Sequence, residues 1–217
     1  MIKPRPFMTS VVEISAGEAG EIPGLRETVY YWTEGSYRAE EWFREVNSIW
    51  GTAGFAVRQG EEFLGYAVYG PAEWLPRAGR YPLGSSGDDA ALLACVCGDE
   101  RVRRHLIVRS LRDLRSRGIR GMEAIACDLE HPHHASTRFL LEIGWRRVGQ
   151  CYHAGGLYTQ ARVDLGSTAE VGEIARKLID RVKLPRFGAP APAPSGMSSL
   201  SRARMIPREP TERGSRS

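Results

Sequence analysis

Between Leu92 and Trp145 the chain reads as a strand, a basic helix, a second strand, a short helix, and a strand opened by a Gly–aromatic pair. No other stretch constrains the fold as much. The apolar run Leu92-Leu93-Ala94-Cys95-Val96-Cys97 suits a buried strand. A helix is expected from Arg101 to Arg117, closed by Gly118. Gly121 to Cys127 supplies the second strand, and Ala135 to Ile143 the second helix, which ends at Gly144-Trp145.

Periodicity supplies the flanking elements. Val11 to Ile14 reads as a short strand. Ile22-Pro23 opens a helix with Leu25, Val29 and Trp32 on one face. A second helix starts near Tyr37 with Ser36 as its N-cap. Trp42, Phe43, Val46, Ile49 and Trp50 form its apolar face, and Gly51 stops it. Strands at Ala53 to Arg58 and Glu62 to Tyr69 are joined at Gln59-Gly60-Glu61 and ended by Pro71. The stretch from Pro76 to Asp89 has no period and is expected to be a long surface loop. Arg146 to His153 and Leu157 to Asp164 read as a hairpin turned at Gly155-Gly156.

Ser167-Thr168-Ala169-Glu170 has capping-box spacing, and Val171, Ile174, Leu178 and Val182 follow on one helical face. Beyond Pro185 the alternation of Ala and Pro, then Ser, Arg and Pro, supports neither helix nor sheet. The expected division is a domain over 1–166, an amphipathic helix over 167–184 and a disordered basic tail over 185–217. That tail carries six Arg and two Glu from Leu184 onward, which accounts for the whole net charge of +4. The folded part is therefore near neutral, and a nucleic-acid partner is not expected. No apolar run reaches membrane-spanning length and no signal core follows Met1, so a cytoplasmic location and no membrane partner are expected. Cys95, Cys97, Cys127 and Cys151 form no Cys-x-x-Cys pair and are read as reduced, buried thiols.

Two segments carry a resemblance. Arg112-Asp113-Leu114-Arg115-Ser116-Arg117-Gly118-Ile119-Arg120-Gly121-Met122-Glu123-Ala124 is similar to "dLrrRGvravEa" in the GNAT (Gcn5-related N-acetyltransferase) family. Phe139-Leu140-Leu141-Glu142-Ile143-Gly144-Trp145 is similar to that family's "fyeklGF". The element order agrees with the family over residues 10–165. The resemblance implies an α/β (α+β) fold: a mixed central sheet with splayed parallel strands, flanked by helices, here followed by the C-terminal helix and disordered tail. It implies an acyl-CoA-dependent N-acetyltransferase, with acetyl-CoA or another acyl-CoA as co-substrate and a small-molecule or protein amine as acceptor. The alternative is a non-catalytic GNAT-fold module for ligand binding or assembly that has lost acetyl-CoA binding. A homo-oligomer is left open.

The chain also departs from the family. An Arg/Gln-x-x-Gly-x-Gly/Ala loop normally holds the pyrophosphate at the start of the central helix, where backbone N–H groups face an anion. Here Gly98-Asp99-Glu100-Arg101-Val102-Arg103-Arg104-His105 is shorter and lacks the paired glycines. By position, Cys95, Val96 and Cys97 would pair with the pantetheine arm. Arg101, Arg103 and Arg104 either replace the glycine cradle by charge or form a solvated basic face. The family's acid-bearing Tyr position is Leu140. Glu123 is the candidate base, or else a carboxylate paired with an Arg such as Arg120 or Arg147. Tyr152 is the candidate acid, with Tyr158 beside it in the hairpin. His131, His133 and His134 lie near Cys127 but match no standard zinc spacing, and no metal is expected.

Overall fold

The computed structural model describes residues 9–83, 87 and 89–166. The expected C-terminal helix and tail lie outside the described residues. The elements are β1 (Thr9–Glu13), α1 (Leu25–Trp32), α2 (Ala39–Ile49), β2 (Gly54–Gln59), β3 (Glu62–Gly70), β4 (Ala90–Val96), α3 (Glu100–Ser116), β5 (Gly121–Cys127), α4 (Thr137–Glu142), β6 (Arg146–His153) and β7 (Gly156–Asp164). Short 3-10 turns at Ala72–Trp74 and Pro76–Arg80 link β3 to β4.

One seven-stranded sheet runs in the order β1-β2-β3-β4-β5-β7-β6. Only β4 and β5 are parallel, because α3 returns the chain across the sheet between them. The sheet separates two cores. On one face α3 and α4 cover Phe55, Tyr69, Leu93, Met122 and Val163 through Leu106, Ile107, Leu114 and Phe139. On the other, α1 and α2 cover Ala56, Val68, Leu92 and Ile125 through Leu25, Trp32, Trp42 and Phe43. β5 is buried at every residue, which is why it reads as a continuous apolar run broken only by Glu123.

The expected mixed sheet with its splayed pair is present, and local details differ. Ser36 does not cap α2. Arg38 precedes that helix in an extended conformation, and the Ser36 N–H bonds Thr33 O instead. Tyr37 is held outside the helix against Trp74, with ring centroids 5.9 Å apart. Ile49 is 71% exposed, so the buried stripe of α2 is narrower than its apolar residues suggest. The β6–β7 turn is Ala154-Gly155, one residue early, with both in positive φ as the tight hairpin requires. The segment after β3 is not a surface loop as far as Leu83. Leu75 and Tyr81 are buried in the α1/α2 core, and Trp42 Nε1 donates to Trp74 O at 3.0 Å. Apolar anchors folded this segment onto the sheet.

Candidate active site

β4 and β5 diverge. Their ladder ends at Leu93↔Ala124, while β4 continues to Val96 and β5 to Cys127. Opposite β3, Tyr69 pairs with Leu93 and Val68 with Cys95, so Ala94 is an extra, bulged residue. A bulge turns its strand and spoils pairing locally. The fork between the strands therefore starts at the bulge. On the β5 arm the inner backbone groups are taken by the following segment: Cys127 N–H donates to Ala135 O, and Ile125 O accepts from His134 Nδ1. The inner edge of β4 at Ala94–Val96 has no ladder partner among the described residues.

A cavity of about 460 Å³ opens beside the point of the fork, lined by Leu92, Glu123, Ala124, Ile125, Gln160, Tyr81 and the 72–83 segment. Glu123 is 3% exposed. Its Oε1 accepts from Arg162 Nη1 at 2.8 Å and its Oε2 from Gln160 Nε2 at 2.9 Å. Its partner is therefore Arg162, directly across the β5–β7 ladder, and neither Arg120 nor Arg147. Arg162 also donates from Nε to Asp164 and from Nη2 to Asp89.

Tyr81 enters from the other wall. Its hydroxyl lies 2.9 Å from Tyr31 Oη and 2.9 Å from His134 Nε2. His134 Nδ1 faces a carbonyl and so carries the ring proton, which leaves one lone pair at Nε2. One tyrosine donates to that lone pair, and the other donates to the first tyrosine's oxygen. Tyr31 in turn lines a separate groove of about 620 Å³ along α1 and α2 with Tyr30, Tyr37, Arg77 and His133. Burial pushes the Tyr81 hydroxyl pKa up, so it keeps its proton.

Burial lowers the His134 pKa to about 3, despite its hydrogen bond to Ile125. The unfolded chain takes up that proton near ~6.5. Between these values the unfolded state binds one more proton than the folded state, so stability falls as pH drops through this window. The expected slope from His134 is about 1.4 kcal/mol per pH unit. His131 and His133 are shifted downward for the same reason and add in the same direction. Urea unfolding at neutral and mildly acidic pH checks this, and His134→Gln should flatten the pH slope. An unchanged slope in that variant would remove His134 as its origin.

The other expected site residues are dispersed. Tyr152, the candidate acid, is 80% exposed on the outer edge strand β6 and does not line this cavity: strand alternation turns it away, whereas Tyr158 is buried against Tyr81. Cys95 is buried, with Sγ 3.7 Å from Pro132 O; burial raises the thiol pKa of both Cys95 and Cys97. Arg104 is folded onto Glu100, with Nε–Oε1 at 2.9 Å, and Arg103 lies over the Phe139 ring at 4.6 Å. Arg101 is exposed. The start of α3 is capped by Asp99, whose carboxylate accepts from Val102 N at 2.7 Å, with Glu100 in the first turn. Gly98 links β4 to this cap at φ 110°, where a Cβ would come within 2.8 Å of Leu64 O. Among the described residues no group of three or more His, Cys, Asp or Glu is placed to hold a metal ion. Nor is any described helix long and apolar enough to cross a membrane.

No protein-family profile matches the chain, and no curated protein matches it. Solved structures do match. YncA of Salmonella typhimurium, assigned as an acetyltransferase and solved with its cofactor acetyl-CoA, aligns at TM-score 0.54 and 14% identity, over 75% of this chain and 98% of that one. An N-acetyltransferase from Staphylococcus aureus Mu50 aligns at TM-score 0.52 and 11% identity, over 72% and 98%. A protein of Desulfovibrio desulfuricans assigned to the GNAT family aligns at 0.47 and 18% identity, over 73% and 99%. This chain has the fold of YncA and of the Staphylococcus aureus enzyme, the GNAT fold that its sequence resembles. The likeness at such identities is one of fold.

YncA was solved with acetyl-CoA on this fold, and the two halves of the fork would fit an acyl-CoA differently. The open inner edge of β4 offers backbone donors and acceptors to a pantetheine arm. The helix start fits a pyrophosphate less well. Asp99 already takes the donor that an anion would use, and two carboxylates stand there. Arg101 and Arg103 are the cations left to hold phosphate, since Arg104 is paired with Glu100.

Proposed function

We propose that this chain is an acyl-CoA-dependent N-acyltransferase acting on an amine. One observation carries the reading: the bulged fork of β4 opens beside a cavity that holds a buried carboxylate and a protonated tyrosine. When bound, the co-substrate would supply a thioester to the fork. Ala94 to Val96 would align its arm along the free edge of β4, and Arg101 and Arg103 would hold its phosphates. Glu123 stands on the cavity wall as acceptor for the amine's proton. Tyr81 Oη would turn its proton from the Tyr31–His134 cluster to a departing thiolate, in place of the absent acid at Leu140. Buried apolar walls would keep water from the acyl group.

The Asp99 cap favours a second reading, a GNAT-fold module that has lost acyl-CoA and binds another ligand. Calorimetry with acetyl-CoA separates the two. Weak binding is expected, and it should fall with ionic strength because exposed Arg–phosphate pairs are screened. Asp99→Gly should tighten it by about fivefold, since removing a like charge at close range is worth about 1 kcal/mol. The helix should lose only a few tenths of a kcal/mol from that change. No binding by either protein at low salt would leave the second reading.

A further inference from the structure

We propose that the cavity beside Glu123 binds a compact apolar monoamine, with its ammonium at the Glu123 carboxylate and its body against Leu92, Ile125, Tyr81 and Leu83. The proposal names the acceptor class for the acyl-transfer reading and rests on that reading only for the amine's use as acceptor.

Charge sets the class. Among the described residues, Glu123 is the one acidic or basic side chain in the cavity lining apart from Tyr81, whose hydroxyl is engaged by Tyr31 and His134. The ion-pair network behind the wall holds three carboxylates, Glu123, Asp89 and Asp164, against two guanidiniums, Arg162 and Arg146. That leaves one negative charge. Arg162 spends Nη1, Nη2 and Nε on those three carboxylates, so it offers the cavity no free fork for an anion. Each Glu123 oxygen accepts one bond and retains a lone pair, so an ammonium finds acceptors without breaking the network.

The remaining walls set the rest of the guest. Ala72, Pro76, Ala78, Leu83, Leu92 and Ile125 present no charge, so a second cationic group would be desolvated without a partner. Among the described lining residues a carboxylate on the guest would meet neither Arg nor Lys. The volume of about 460 Å³ lies in the range of small-molecule sites. Polycations and free amino acids are thereby disfavoured.

The full-length chain is titrated with phenethylamine, 3-phenylpropionate and L-phenylalanine, by calorimetry and by amide chemical-shift mapping. Phenethylamine should bind saturably and shift Leu92, Ile125 and Gln160. The two carboxylate-bearing compounds should bind at least about tenfold more weakly. Glu123→Gln, which can still accept from Arg162, should weaken phenethylamine by at least about tenfold. Should that variant fail to fold, the shift map of the natural chain with the three compounds decides alone. The proposal is overturned by no saturable phenethylamine binding, by equal binding of 3-phenylpropionate, or by shifts confined to the α1–α2 groove. Amine binding without acetyl-CoA binding would sink acyl transfer and keep this site. Acetyl-CoA binding without amine binding would keep acyl transfer and remove this guest.

Discussion

Arg162→Leu is expected to cost about 3–5 kcal/mol of folding stability, because it strands a buried carboxylate. The Glu123 side chain is 4% exposed and Arg162 is its only ion-pair partner among the described residues. Asp89 and Asp164, the other two partners of Arg162, are 45% and 39% exposed and can be solvated by water instead. Most of the loss should therefore come from Glu123. The double change Arg162→Leu with Glu123→Leu should recover much of it, since removing both charges removes the desolvation cost. Urea unfolding of the two variants beside the natural chain measures the difference. A single-variant loss under about 1 kcal/mol would show Glu123 solvated through the cavity, as at an exposed pair.

Trp32→Ala should cost a similar amount, about 3–5 kcal/mol, by a different route. Trp32 is fully buried at the end of α1 and packs on His134 at 4.9 Å between ring centroids. Its Nε1 donates to His133 O at 2.8 Å, tying α1 to the segment after β5. Truncation leaves a void and an unpaired carbonyl. Trp32→Phe keeps most of the volume and should lose less, mainly the hydrogen bond at about 1 kcal/mol. Thermal and urea unfolding check both. Equal losses for Ala and Phe would make the hydrogen bond, and not the packing, the main contribution.

These two residues show where reading the chain succeeds and where it stops. Trp32 was legible: Leu25, Val29 and Trp32 recur at helical spacing, and all three are buried. β5 was legible to the residue, Gly121–Cys127, because a strand buried on both faces leaves a continuous apolar run between turn residues. Glu123 was legible as an anomaly in that run. Its partner was not. Arg162 is 39 residues away and meets Glu123 only because β7 pairs antiparallel to β5 in one register. Arg120 and Arg147 were nearer in sequence or equally charged, and nothing local separates them from Arg162.

Tyr81 was missed for a related reason. It sits among Pro, Gly and Arg with no periodicity, so its segment reads as loop. The available signal was the set of large apolar residues Leu75, Tyr81 and Leu83 within that polar stretch, which had to be buried somewhere. The shortened loop at Gly98 was legible, but its consequence was not. Only the fold shows Asp99 on the helix N–H groups and Arg104 turned back onto Glu100.

The sequence by itself determined the order of elements, the two apolar helix faces, the buried central strands and the presence of a lone carboxylate among them. These follow from short-range periodicity, in which each residue's burial is set by neighbours two to four positions away. Tertiary structure alone decided the bulge at Ala94, the fork after Leu93, the cavity, and the meeting of Glu123, Tyr81 and His134. Those depend on strand register and on which distant segments cover which face. A one-residue change in register would send Arg162 to the opposite side of the sheet from Glu123, and no local pattern in the chain records that choice.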